Sequence, residues 1–217
     1  MKTFFVPPLR NAPLALLFFG TVQLLLLMIV AECVYPSYSA SNNFISDLGV
    51  GSTSLLFNAP MIIFGACVVC STLQLKKDEA VLRNALFIAG AGAIGVGVFP
   101  ETTDTIHLLC ALAAFLFGAV AAVASSKKLF FPSNAFAFLA GIISLAALAL
   151  FVFGNYFGLG PGGMERMIAY PILIWGIYFA GITAGGKVSR TFTIRFFPAC
   201  ACGQRVARRA VGRPYRF

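Results

Sequence analysis

Residues 12–31 read APLALLFFGTVQLLLLMIVA. No charged side chain interrupts them, and as a helix they extend about 30 Å, the thickness of a bilayer's hydrocarbon core. Five further apolar runs follow, near 54–73, 81–99, 105–124, 134–153 and 164–185. Unpaired backbone groups are costly in hydrocarbon, so each run is predicted to be a helix. None shows the strict alternation of a barrel strand, which would span only about ten residues. The first run is longer than the roughly 7–15 apolar residues of a secretory leader, and no small-residue cleavage site follows it, so it is read as a retained span. The expected fold is all-α: a polytopic membrane bundle of six transmembrane helices over 1–186, then a basic tail over 187–217.

Composition agrees with this. Of 217 residues, 59% are hydrophobic and 11% charged, and the mean hydropathy is +0.90. A soluble domain carries about 25% charged residues, so this chain cannot cover a water-facing surface. That excludes a soluble enzyme, a disordered chain and a disulfide scaffold.

The net charge of +9 is unevenly placed. Fifteen of the sixteen Lys and Arg residues precede the first run, lie around the second and fourth connections, or follow the sixth run; the exception is Arg166. The positive-inside rule assigns that side to the cytoplasm. Both termini are therefore expected to be cytoplasmic, in a cell membrane crossed several times. The tail from Lys187 to Phe217 holds eight basic residues and no acid. Each is worth about 1 kcal/mol beside an anionic leaflet, which accounts for the tail without nucleic acid. Its Phe192, Ile194, Phe196 and Phe197 are suited to dip into the interface. The expected partners are the lipid bilayer and a lipid or small polar ligand, not nucleic acid. Nothing in the sequence sets an oligomeric state.

Cys67 and Cys70 form a C-x-x-C inside an apolar run, where small thiols pack between helices. Cys200 and Cys202 could carry palmitate or stay ordinary thiols. With one histidine and no zinc-site spacing, no metal and no cofactor are expected. Small residues recur in the third run (Ala89, Gly90, Gly92, Ala93, Gly95, Gly97), the fourth (Ala114, Gly118, Ala122) and the sixth (Gly176, Ala180, Ala184). Such faces allow close helix approach, so these three helices are expected to form the tight centre.

Polar residues are expensive in a membrane, and here they gather in the first, third and fifth connections. Residues 35–49 read YPSYSASNNFISDLG. Pro36 should end the first helix, and the hydroxyls and amides that follow favour an ordered turn. Residues 98–107 read VFPETTDTIH, where Thr103 or Asp104 is expected to cap the fourth helix. His107 is either an interfacial histidine bonded to Asp104 or a carbonyl, or a proton carrier facing a pocket. Residues 158–166 read GLGPGGMER, a glycine-rich turn running toward Tyr170, Pro171 and Trp175. Arg166, placed against the charge bias, needs an acid, and Asp47, Glu101 and Glu165 lie at similar depth. It is either a structural ion pair or an anchor for a carboxylate or phosphate head group.

These segments, with Leu56-Phe57-Asn58 and Gly95–Glu101, together resemble a prokaryotic six-helix membrane family catalogued as a domain of unknown function, number 998. The similarity covers about residues 12–185. It implies a six-helix integral membrane protein and supplies no activity, substrate or catalytic residue.

Three functions follow from the polar residues. The first is handling of a lipid head group or small polar solute at an outward-facing pocket built from Tyr38, Ser39, Asn43, Asp47, Glu101, His107, Glu165 and Arg166. The second is a structural or accessory subunit docking through its small-residue faces. The third is an intramembrane lipid hydrolase or transferase with His107 as base, Glu101 or Asp104 orienting it, and Ser46, Ser39 or Ser41 as nucleophile. A three-histidine zinc site cannot be built, and there is no H-E-x-x-H, G-x-S-x-G or phosphate loop.

Overall fold

A computed structural model describes residues 12–184; the basic tail, Cys200 and Cys202 lie outside the described residues. Six helices long and apolar enough to cross a membrane are present: α1 (Ala12–Val34), α2 (Ser54–Ser71), α3 (Ala80–Val98), α4 (Thr105–Ser126), α5 (Ser133–Val152) and α6 (Gly160–Ala184). Short 3-10 turns at Ser46–Gly49, Gly51–Thr53 and Glu101–Thr103 shape the connections. The chain is a multi-pass membrane protein. Its outer surface fits that medium: Phe19, Leu26, Leu108, Leu109 and Leu139 are all exposed, an arrangement water would not tolerate.

Two helix ends differ from expectation. α1 runs to Val34, a turn further than 31, because the chain stays helical until Pro36 forbids it. Glu32 therefore sits on a helix. α6 begins at Gly160, taking in the glycine-rich stretch read as a turn. Proline is tolerated in a helix's first turn, so Pro161 starts the helix, which then continues through Pro171.

Each helix packs on its neighbours in sequence, and α6 returns to pack on α1. The result is a ring with α5 behind α4 and α6. The core has three clusters, one around Leu17, Val68, Leu86 and Trp175, a second around Met28, Ile45, Phe57 and Leu173, and a smaller third of Ala147, Met164 and Ile168 where α5 meets α6.

The expected tight centre of the third, fourth and sixth helices does not form. α3 is instead the small-residue helix between α2 and α4. A Cβ on Gly65 would lie 2.6 Å from the Gly90 carbonyl, and one on Gly92 2.7 Å from both Cys110 O and Ala114 N. α6 turns Ile172, Leu173 and Trp175 toward the middle, and these are too large for such an approach. Cys67 packs against Gly20 as a thiol.

Several polar side chains tie one helix to another, as expected where apolar contact alone gives no drive to associate, while others such as Thr21 and Thr183 bond carbonyls of their own helix. Gln23 Nε2 donates to the Pro60 carbonyl at 2.8 Å, joining α1 to α2. Ser144 Oγ donates to Ile168 O at 2.7 Å, joining α5 to α6. Trp175 Nε1 donates to Ser125 Oγ at 2.9 Å, joining α6 to α4.

Gly65→Ala should force α2 and α3 apart and cost about 1–3 kcal/mol. Gly181→Ala, whose Cβ meets nothing within 4 Å, should stay within about 0.5 kcal/mol. Thermal unfolding of the two variants in mild detergent checks the contrast.

Candidate functional site

The three polar connections meet at one end of the ring, and Arg166 organises them. Its Nη1 donates to the carbonyls of Ala40 (2.9 Å), Asn43 (3.2 Å) and Gly162 (2.9 Å). Its Nη2 donates to Glu32 Oε1 at 2.6 Å and to the Tyr38 hydroxyl. Only 8% of Arg166 is exposed. The ion-pair partner is thus Glu32 rather than Asp47, Glu101 or Glu165. The extra turn of α1 raises Glu32 to the level of the guanidinium.

Glycine makes the close approach possible. The Gly162 N–H donates to Ser41 O at 3.0 Å. A Cβ on Gly162 would overlap the Asn43 carbonyl, and one on Gly160, where φ is +76°, would overlap Ser41. Successive helical residues point about 100° apart, so Glu165 and Arg166 serve different partners. Glu165 Oε2 accepts the Ile45 N–H at 2.5 Å. Arginine holds the loop by its carbonyls, and glutamate holds it by an amide.

The first connection also braces itself. Asn43 Oδ1 accepts the Ser39 N–H at 3.0 Å, while its Nδ2 donates to Asp47 Oδ2 at 2.8 Å. The same Asp47 oxygen accepts the Phe44 N–H. Tyr38 donates to Phe44 O at 3.1 Å, and burial pushes its hydroxyl up to about 12, so it stays neutral beside the guanidinium. Ser39 and Ser41 share a hydroxyl–hydroxyl bond at the exposed tip. Asn58 Nδ2 reaches back to Gly49 O at 2.9 Å, and its Oδ1 is buried without a hydrogen-bond partner.

The third connection joins the first through acids. Glu101 hydrogen-bonds Asp47 and Ser46, and burial, then the Asp47 carboxyl, raise it to about 7. A bond between two carboxyls requires a proton, here held on Glu101. Neither Thr103 nor Asp104 caps α4 as expected. Thr103 Oγ1 donates to Pro100 O at 2.8 Å, and Asp104 is exposed with φ +46° and no capping bond. His107 Nδ1 bonds Phe99 O at 2.8 Å, not Asp104. A carbonyl only accepts, so Nδ1 carries a proton, and in that tautomer of the imidazole Nε2 is an acceptor.

A cavity of about 90 Å³ runs within the ring. Its wall is almost wholly apolar, from Leu17, Val68 and Trp175 up to Met28, Phe57 and Val96. At the loop end Ser46, His107 and Glu165 line it. His107 and Glu165 are each 8% exposed. Of the candidates, then, Ser46, His107 and Glu165 share the cavity, with Glu101 bonded to Ser46. Arg166, Tyr38, Asn43 and Asp47 belong to the clamp, and Asp104 stands apart. Among the described residues no three of His, Cys, Asp or Glu come together as metal ligands. Reading by polarity missed Glu32, one residue beyond the first apolar run, and Trp175 and Phe57, which carry no polar signal for a cavity wall.

Arg166→Ala should cost about 3–5 kcal/mol, since it strands Glu32 and three carbonyls. Glu32→Gln, which can still accept, should cost less; thermal unfolding in detergent compares them. For Glu101, folding raises the proton affinity. The stability it adds is therefore complete below its ordinary 4.5 and lost as pH rises through about 7. Glu101→Gln should flatten the melting-temperature profile between pH 5 and 8, with its gain over the wild type at the alkaline end.

No curated protein and no solved structure matches the chain. A family model described as "Protein of unknown function (DUF998)" matches residues 18–181. With six membrane-spanning helices and matching cover from α1 to α6, the chain belongs to this family of unknown function.

Proposed function

We propose that this protein binds a small amphiphilic molecule inside its ring of helices, in a cell membrane, with the loop end away from the cytoplasm. The observation that carries this is the cavity: an apolar shaft ending at Ser46, His107 and Glu165. Ligand sites pair an apolar lining with a few placed polar groups, and this one does so. The head-group role passes from Arg166, whose donors are spent on the loop and Glu32, to His107 and Glu165. The orientation is supported by the described residues Lys76, Lys77, Arg83, Lys127 and Lys128, which fall in or beside the α2–α3 and α4–α5 connections, opposite the loop end.

An accessory role draws less support, because the small-residue faces of α3 are consumed against α2 and α4. A lipid hydrolase or transferase draws on Ser46 and His107 sharing one wall. It would lose turnover but keep binding in Ser46→Ala.

Native mass spectrometry of the protein from mild detergent should find a small bound molecule. Ala111→Phe, which fills the shaft from α4, should lose it while melting no lower than the wild type. Retention of the molecule in Ala111→Phe, or a raised melting temperature with nothing bound to the wild type, would make the cavity a packing gap.

A further inference from the structure

The donors and acceptors at the loop end of the shaft define a ligand chemistry. Glu165 Oε2 already accepts the Ile45 amide, so Oε1 is the oxygen left for an occupant. His107 has its Nδ1 proton committed to Phe99 O, so what it offers is the Nε2 lone pair. Ser46 is bonded to Glu101. The end of the cavity is therefore built of acceptors.

Charge points the same way. Glu32, Asp47, Glu101, Asp104 and Glu165 lie at this end, against one cation among the described residues, Arg166. That cation is bonded to Glu32, Tyr38 and three carbonyls. A carboxylate or phosphate here would face Glu165 with neither a free cation nor an uncommitted donor among the described residues that line this end. Size sets the rest: a water-sized group needs about 10–15 Å³ of such space, so about 90 Å³ holds a head and a chain of roughly five or six carbons.

We infer that the occupant has a hydrogen-bond-donating head, an amine or an alcohol, on a short unbranched apolar chain, and that anionic heads are rejected. This rests on the cavity being a binding site, as proposed above. The amine would donate to Glu165 and to His107 Nε2; the alcohol has one proton and would satisfy one of them.

The chain contains one tryptophan, Trp175, and it lines the shaft while only 2% exposed. Its emission reports an occupant directly. The test titrates n-hexylamine, n-hexanol and hexanoate at neutral pH into the full chain in nanodiscs, following Trp175 emission and melting temperature. Amine and alcohol should give saturable changes, with hexanoate at least about tenfold weaker, the discrimination expected of an acceptor-lined buried end. Glu165→Gln keeps an acceptor for Ile45, and it should weaken the amine about tenfold while moving the alcohol far less. Ala111→Phe should abolish all saturable change.

Hexanoate binding as well as or better than the amine would overturn this inference and leave the cavity as a site. Saturable changes from none of the three would overturn both it and the binding reading beneath it. Equal loss of amine and alcohol in Glu165→Gln would assign Glu165 to the clamp alone and also overturn the inference.

Discussion

A guanidinium buried beside hydrocarbon is tolerable only if nearly every donor is met, and that condition explains the loop end of this protein. Arg166 reaches α1 through Glu32, the first connection through Ala40, Asn43 and Tyr38, and its own helix through Gly162. Other requirements follow from it. α1 must stay helical past the apolar run to lift Glu32. Residues 160 and 162 must lack a Cβ so that α6 can approach the loop backbone. The loop must present its carbonyls inward, which Asn43 and Asp47 arrange by fixing Ser39 and Phe44. Removal of a buried partner costs far more than the pair itself contributes, so this cluster specifies one arrangement more than it adds stability.

Once the clamp and the helix-to-helix ties are accounted for, few polar groups remain inside. Gln23, Ser125, Ser144 and Trp175 are bonded across helices. Of those that line the central space, Thr21 is bonded within its own helix, and Ser46, His107 and Glu165 stand together at the loop end. Glu165 and Arg166, adjacent in sequence, face different surroundings: Arg166 is bonded to Glu32, Tyr38 and three carbonyls, whereas Glu165 holds the Ile45 amide and also lines the cavity.

Helix number and type were legible because the bilayer imposes a length and an apolar content on each segment, whatever the packing. The three polar connections were legible as a set because burying them near a membrane demands partners. Which partner each found was not. Glu32 lay one residue past a hydropathy boundary, and hydropathy does not see that a helix runs on until proline stops it. The small residues of α3 were visible, yet their partners in α2 and α4 depend on which face points where, and one-dimensional spacing leaves that open. The shaft was invisible for a plainer reason: Phe57, Val96 and Leu173 look like any other core residues until the space between them is seen.

The return of α6 onto α1 has a consequence for how the chain is made. All the other major helix contacts join neighbours in sequence, so they can form as each hairpin leaves the ribosome, N-terminal first. Ring closure cannot, because it joins the first helix to the last. Until α6 is inserted, Glu32 has no guanidinium to meet, and residues 40–45 lack the bonds that Gly162, Glu165 and Arg166 make to them. The nascent protein therefore exists as a five-helix arc with an unpaired acid at its membrane border. The Glu32–Arg166 pair, which joins the first helix to the last, can form only when the final helix is in place.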